Sequence, residues 1–136
     1  MVERIVHDGK LLAIIVRRTF DKDGISFISP DNFPLQLGHI KYPRGHRITP
    51  HVHLPVRRHT VGTQEVLIIQ KGEIRIDFYS RDKQYLESRK LSEGDIALLA
   101  DEGHGMTVLK SVKMIEVKNG PFCAGQDKEK FEVKIK

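Results

Sequence analysis

Glu65-Val66-Leu67-Ile68-Ile69-Gln70-Lys71-Gly72-Glu73-Ile74-Arg75-Ile76-Asp77-Phe78 sets the architecture of this chain. The residues from Val66 to Ile69 are all apolar, as in a strand covered on both faces. Lys71-Gly72 reads as a tight turn. Beyond it, Ile74, Ile76 and Phe78 alternate with Glu73, Arg75 and Asp77. A period of two belongs to a half-buried antiparallel strand, with one face packed and the other wet.

The same grammar extends outward in both directions. His7-Asp8-Gly9-Lys10 is a hairpin signal ahead of the apolar run Leu11 to Val16. Asp21-Lys22-Asp23-Gly24 is another turn; it is faintly like a calcium loop but lacks the remaining ligands and the flanking helices. A strand follows at Ile25 to Ile28, then a loop at Asp31 to Pro34, then an alternating stretch from Leu35 to Tyr42 with Leu37 and His39 on one face. Toward the C-terminus, Ser80 to Lys83 and Ser92 to Asp95 are turns. Strands are expected at Tyr85 to Leu91, Ile96 to Leu99, Val112 to Val117 and Phe131 to Ile135, and Asp101 to Gly105 is a loop holding His104. Turn signals recur roughly every 8 to 12 residues, the spacing of an all-β sandwich or barrel. No segment has a helical period, and no linker, repeat or low-complexity stretch divides residues 1–136 into more than one domain.

Composition narrows the function. With 136 residues the chain is long enough for a proper core. No apolar run is long enough to span a bilayer. Met1-Val2-Glu3-Arg4 does not begin a signal peptide, and a single cysteine, Cys123, forms no internal disulfide, so the expectation is a soluble cytoplasmic protein. Between Phe122 and Ala124, Cys123 reads as an inert structural thiol. The net charge is +5, from 23 basic and 18 acidic residues. The basic residues are mixed with acids, without a stripe of interleaved aromatics, which speaks against nucleic acid. The excess suits a small anionic ligand.

The chemistry gathers on His51-Val52-His53, Glu65 and His104. Two histidines at i and i+2 face the same way if their segment is extended. Three imidazoles and a carboxylate offer nitrogen and oxygen donors suited to Fe(II), Mn(II), Ni(II), Co(II) or Zn(II). Four such ligands leave positions open on a six-coordinate metal. The competing reading is a set of barrel histidines without metal. Around this group, Arg47 is a candidate to hold a substrate carboxylate or phosphate, and Met106 to pad a cavity. Glu116 and His39 are candidate catalytic groups if they face inward, the former as a base whose pKa rises with burial. His59 is a spare ligand in the loop after His53, while His7 and His46 read as turn residues.

Gly45-x5-His51-x-His53…Glu65-x6-Gly72 and Gly94-Asp95-x4-Ala100…His104 resemble the two sequence motifs of the cupin superfamily, here at about 45–72 and 94–108. The resemblance implies a double-stranded β-helix, or jelly-roll barrel, with His51, His53, Glu65 and His104 as ligands of a divalent transition metal. Three departures stand out. Eleven residues separate His53 from Glu65, a longer connection than the family's. Ala100 replaces the usual proline, with His104 one residue early. Val108 lies near the place of an expected asparagine. Among cupins, the chain is similar to small bacterial single-domain members associated with surface-polysaccharide biosynthesis. This implies a sugar or sugar-nucleotide ligand, with isomerase, epimerase or dioxygenase chemistry, or else a non-catalytic binding module or accessory subunit. It also implies a homodimer, for which the Phe131 to Ile135 edge is a suitable pairing element.

Overall fold

The computed structural model describes residues 1–133. It is all-β: eight strands and, among the described residues, no helix. The strands are β1 (Val2–His7), β2 (Lys10–Val16), β3 (Gly24–Phe27), β4 (Gly38–Lys41), β5 (Glu65–Tyr79), β6 (Tyr85–Ser92), β7 (Ile96–Leu99) and β8 (Gly103–Lys118). Six of them form one antiparallel sheet in the order β1-β2-β7-β5-β6, with β8 on the other edge of β5. β3 and β4 form a separate antiparallel pair.

β5 organises the sheet. Its first residues, Glu65 to Ile68, pair with β7, and its last, Glu73 to Tyr79, pair with β6. β8 runs along the opposite edge for the whole length. Between the two halves the β5–β8 ladder shifts register around Lys71 to Ile74. Gly72 lies there at φ 91°, and a Cβ on it would stand 2.0 Å from the Ser111 carbonyl oxygen. The tight turn expected at Lys71-Gly72 is therefore a bulge. The glycine accommodates a close backbone approach, and the strand bends instead of reversing.

The bulge also switches which residues face inward. Leu67 and Ile69 are buried before it, Ile74, Ile76 and Phe78 after it, and all five join Ile5, Ile15, Leu91 and Leu99 in the inner core. The sheet curls around this core as a half-barrel. A second apolar layer covers the outer face. There, Ile14, Val16, Val66 and Leu98 pack under Phe20, Ile28, Phe33, Leu35 and Leu37. β2, between two neighbours and two layers, is buried from Leu12 to Val16, which accounts for its unbroken apolar run.

The curl brings the two end strands, β1 and β6, face to face without a backbone ladder. Charged side chains close the gap. His7 Nε2 lies 2.6 Å from Glu87 Oε2, Arg89 bridges Glu87 and Glu3, and Arg17 Nη1 donates to the Lys90 carbonyl oxygen at 2.6 Å. Arg17 also grips both oxygens of Glu3, at 2.6 and 3.2 Å, and reaches Asp95 at 3.2 Å.

Several expected elements differ. The alternating stretch from Leu35 to Tyr42 supplies a strand only at Gly38–Lys41. The His104 loop is shorter than expected, because β8 begins at Gly103. Phe131 to Val133 form no strand, and the remainder of that expected strand lies outside the described residues. His7 is not merely a turn residue but the end of β1, tied to Glu87. Cys123 is exposed instead of packed, because Phe122, on which the apolar context rested, is itself 84 % exposed.

Candidate metal and ligand site

Glu65 and His104 meet, although they belong to opposite ends of the β5–β8 ladder. Glu65 is the first residue of β5, while His104 pairs with Phe78 near its last. The bend of β5 brings the two side chains together, with His104 Nε2 3.3 Å from Glu65 Oε2. Both lie on the inner face. Glu65 shares the side of Leu67, and His104 that of its core partner Phe78. Each side chain keeps only part of its solvent contact.

Two further charges adjoin this pair. Lys118 is the strand partner of Glu65, and Glu116 that of Leu67, so all face the same side. The hydrogen bond to His104 holds the Glu65 carboxyl below the usual carboxylate range, against the opposing effect of burial, with help from the His104 charge, Glu116 and Lys118. Glu116 is displaced the other way. Loss of water around its carboxyl, then the charge and hydrogen bond of Glu65, push it up. The arrangement is two carboxyls and an imidazole, with one carboxyl ionised more readily than usual and its neighbour less.

The other sequence candidates lie elsewhere. His51 and His53 fall in the stretch from 42 to 63, which contains no strand, and both are exposed. Their rings are 5.2 Å apart at a near-perpendicular angle, and His51 Nδ1 bonds only to the Thr49 carbonyl oxygen. Arg47 and His59 are exposed in the same stretch, and His46 stacks on Tyr42 at 3.7 Å. Met106 does face inward, opposite Ile76, but is 40 % exposed because no wall stands over it. His39 does not share that face. It lies in the β3–β4 pair with its ring 4.8 Å from Phe20, in the layer outside the sheet, and its buried Nδ1 has no partner.

The donor chemistry of Glu65 and His104 suits a borderline divalent metal, an oxygen and a nitrogen on one face. The placement supplies two of the four expected ligands. Among the described residues, no group of three or more His, Cys, Asp or Glu side chains is set to hold a metal ion.

Sequence reasoning missed a polar depression of about 370 Å³ lined by Gln64, Arg81, Asp101, Glu102 and Asp127. Nothing local signals it, since its residues come from four separate parts of the chain. No helix among the described residues is long and apolar enough to cross a membrane. No family model, curated protein or solved structure matches this chain.

Proposed function

We propose that the chain is a metal-binding protein of the cupin type. In this reading it is a jelly-roll barrel whose inner face takes a divalent transition metal and a small polar or anionic molecule such as a sugar or sugar-nucleotide. The observation that carries the proposal is the contact between Glu65 and His104 on the concave face. A carboxylate and an imidazole far apart in sequence converge where the two motifs put ligands. His51 and His53 supply the remaining donors from the segment that leads into β5.

In that frame the metal polarises a substrate oxygen or handles dioxygen. The residues of this chain do the rest. Glu116, which holds its proton more tightly than an ordinary carboxyl, is placed to exchange one with a ligand beside Glu65. Arg47 travels with His51 and His53 and offers a bidentate hold on a carboxylate or phosphate. His39 lies on the outer layer and takes no part.

The second reading is a non-catalytic sugar-binding module or accessory subunit, working as a homodimer or within an assembly. One observation favours it: Glu65 and His104 already satisfy each other by a charge-assisted bond, while His51 and His53 stand in solvent.

Metal analysis by mass spectrometry on untagged protein separates the two. About one equivalent of Fe, Mn, Ni, Co or Zn, lost in a His51→Ala/His53→Ala variant, supports the metal protein. Iron then directs the search to dioxygen chemistry, the other metals to isomerisation or epimerisation. No metal after reconstitution, with a sugar-nucleotide still raising Tm, supports the binding module.

A further inference from the structure

Arg47 to Val56 carries a strand pattern that no strand in the structure uses. Ile48, Pro50, Val52, Leu54 and Val56 are apolar, and Arg47, Thr49, His51 and His53 alternate with them. Val52 is 83 % exposed and Leu54 73 %. β8 has the complementary deficiency. It pairs with β5 along one edge from Gly103 to Lys118, and no described strand pairs with its other edge. A long unpaired edge is a template for another strand.

The chain's own segment is tethered within reach of that edge. Asn119, next after β8, accepts from the Gln64 backbone N–H at 2.8 Å and donates to the Gly62 carbonyl oxygen at 3.1 Å. Gly62 is thereby fixed close to Glu65, which itself touches His104. The connection from His53 to Gly62 spans about 30 Å when extended, enough to lay the histidines along β8. On such a strand, His51 and His53 share the inner face with His104 and Met106, and Val52 and Leu54 fall on the opposite face beside Leu109. Like charges oppose the approach, since Arg47, Arg57 and Arg58 meet Lys110 and Lys113. Ligation of a metal by two imidazoles offsets that repulsion.

We infer that Arg47 to Val56 is a metal-gated strap, which pairs with the free edge of β8 and brings His51 and His53 beside Glu65 and His104 when a divalent cation is taken up. The inference rests on the metal-binding reading above and adds to it how the site assembles. The long Leu54 to Gln64 connection provides the slack that lets the strap stand open.

The test uses the full chain with Co(II) as the only added ligand. Binding is read from visible absorption, strap closure from hydrogen exchange and from trypsin cleavage after Arg57 and Arg58. The expected result is saturation near one equivalent of Co(II), cleavage slowed by about tenfold or more, and joint protection of amides in 47–56 and 103–110. His51→Ala/His53→Ala, at exposed positions, should leave the fold intact and abolish the protection. Co(II) bound with unchanged exchange and cleavage overturns the strap and leaves the metal-binding reading standing. Failure to bind Co(II) overturns both. Protection that appears only with a doubled mass by light scattering assigns the edge to a second copy's segment, and overturns closure within one chain.

Discussion

A methyl group on Gly72 would meet the Ser111 carbonyl oxygen at 2.0 Å, in a backbone conformation that side chains rarely adopt. Gly72→Ala is therefore expected to cost about 2–4 kcal/mol and lower Tm by several degrees, since both strain and displacement are involved. Chemical denaturation followed by circular dichroism measures it. Phe78, 1 % exposed, fills the inner core opposite His104. Phe78→Ala is expected to cost about 3–5 kcal/mol, a cavity that the surrounding isoleucines only partly close. Single residues also mark what the sequence discloses of the site. Glu65 and His104 are visible in it because their spacing from nearby glycines is local. Their contact is not, since it depends on how far β5 bends. The bend in turn depends on Gly72, which in sequence looks like any turn glycine.

At the scale of elements, the turn from β6 to β7 shows how a short signal gains a long-range role. Ser92-Glu93-Gly94-Asp95 is legible as a turn. Its buried Asp95 does more than turn the chain. Its carboxylate accepts from the Ser92 N–H at 2.9 Å, the Arg18 N–H at 3.0 Å and Arg17 Nη1 at 3.2 Å. Asp95→Ala is expected to destabilise by about 2–3 kcal/mol, because two backbone donors and a guanidinium lose one acceptor together. Asp95→Asn, keeping the shape but losing one acceptor lone-pair set and the charge, should fall between; thermal unfolding of the three proteins gives the order. Hairpin and turn signals of this kind read correctly from sequence because their physics lies within four residues. The segment from 47 to 56 did not, because a strand pattern states only that a strand is affordable, not which edge it finds.

At the scale of the molecule, the sheet closes through charges between β1 and β6. Arg17 beside Glu3, outweighing the effect of burial, holds that carboxyl below the ordinary range. Burial pushes Glu87 up, but His7 and Arg89 outweigh it and its carboxyl also ends low. A carboxyl depressed in the fold contributes stability that is complete above its unfolded value, about 4.3, and is lost as pH falls through the folded one. Tm is thus expected to hold down to about pH 5 and to drop steeply below about pH 4. Glu3→Gln should flatten part of that drop, which differential scanning calorimetry across pH 3–7 would register. All-β architecture was legible from alternation and turn spacing. The closing of the curl by ion pairs was not, because which strands end the sheet is decided by non-local pairing.

That pairing order has a consequence during synthesis. β2, complete once residue 16 is made, finds its inner neighbour only in Ile96–Leu99. β5 waits likewise for β7 and β8 on its two edges. On the ribosome, the most apolar strand of the protein emerges early and has only β1 as a partner through most of translation. Folding is therefore expected to be a late, largely post-release event, and Leu11 to Val16 to be the stretch that a nascent-chain chaperone captures.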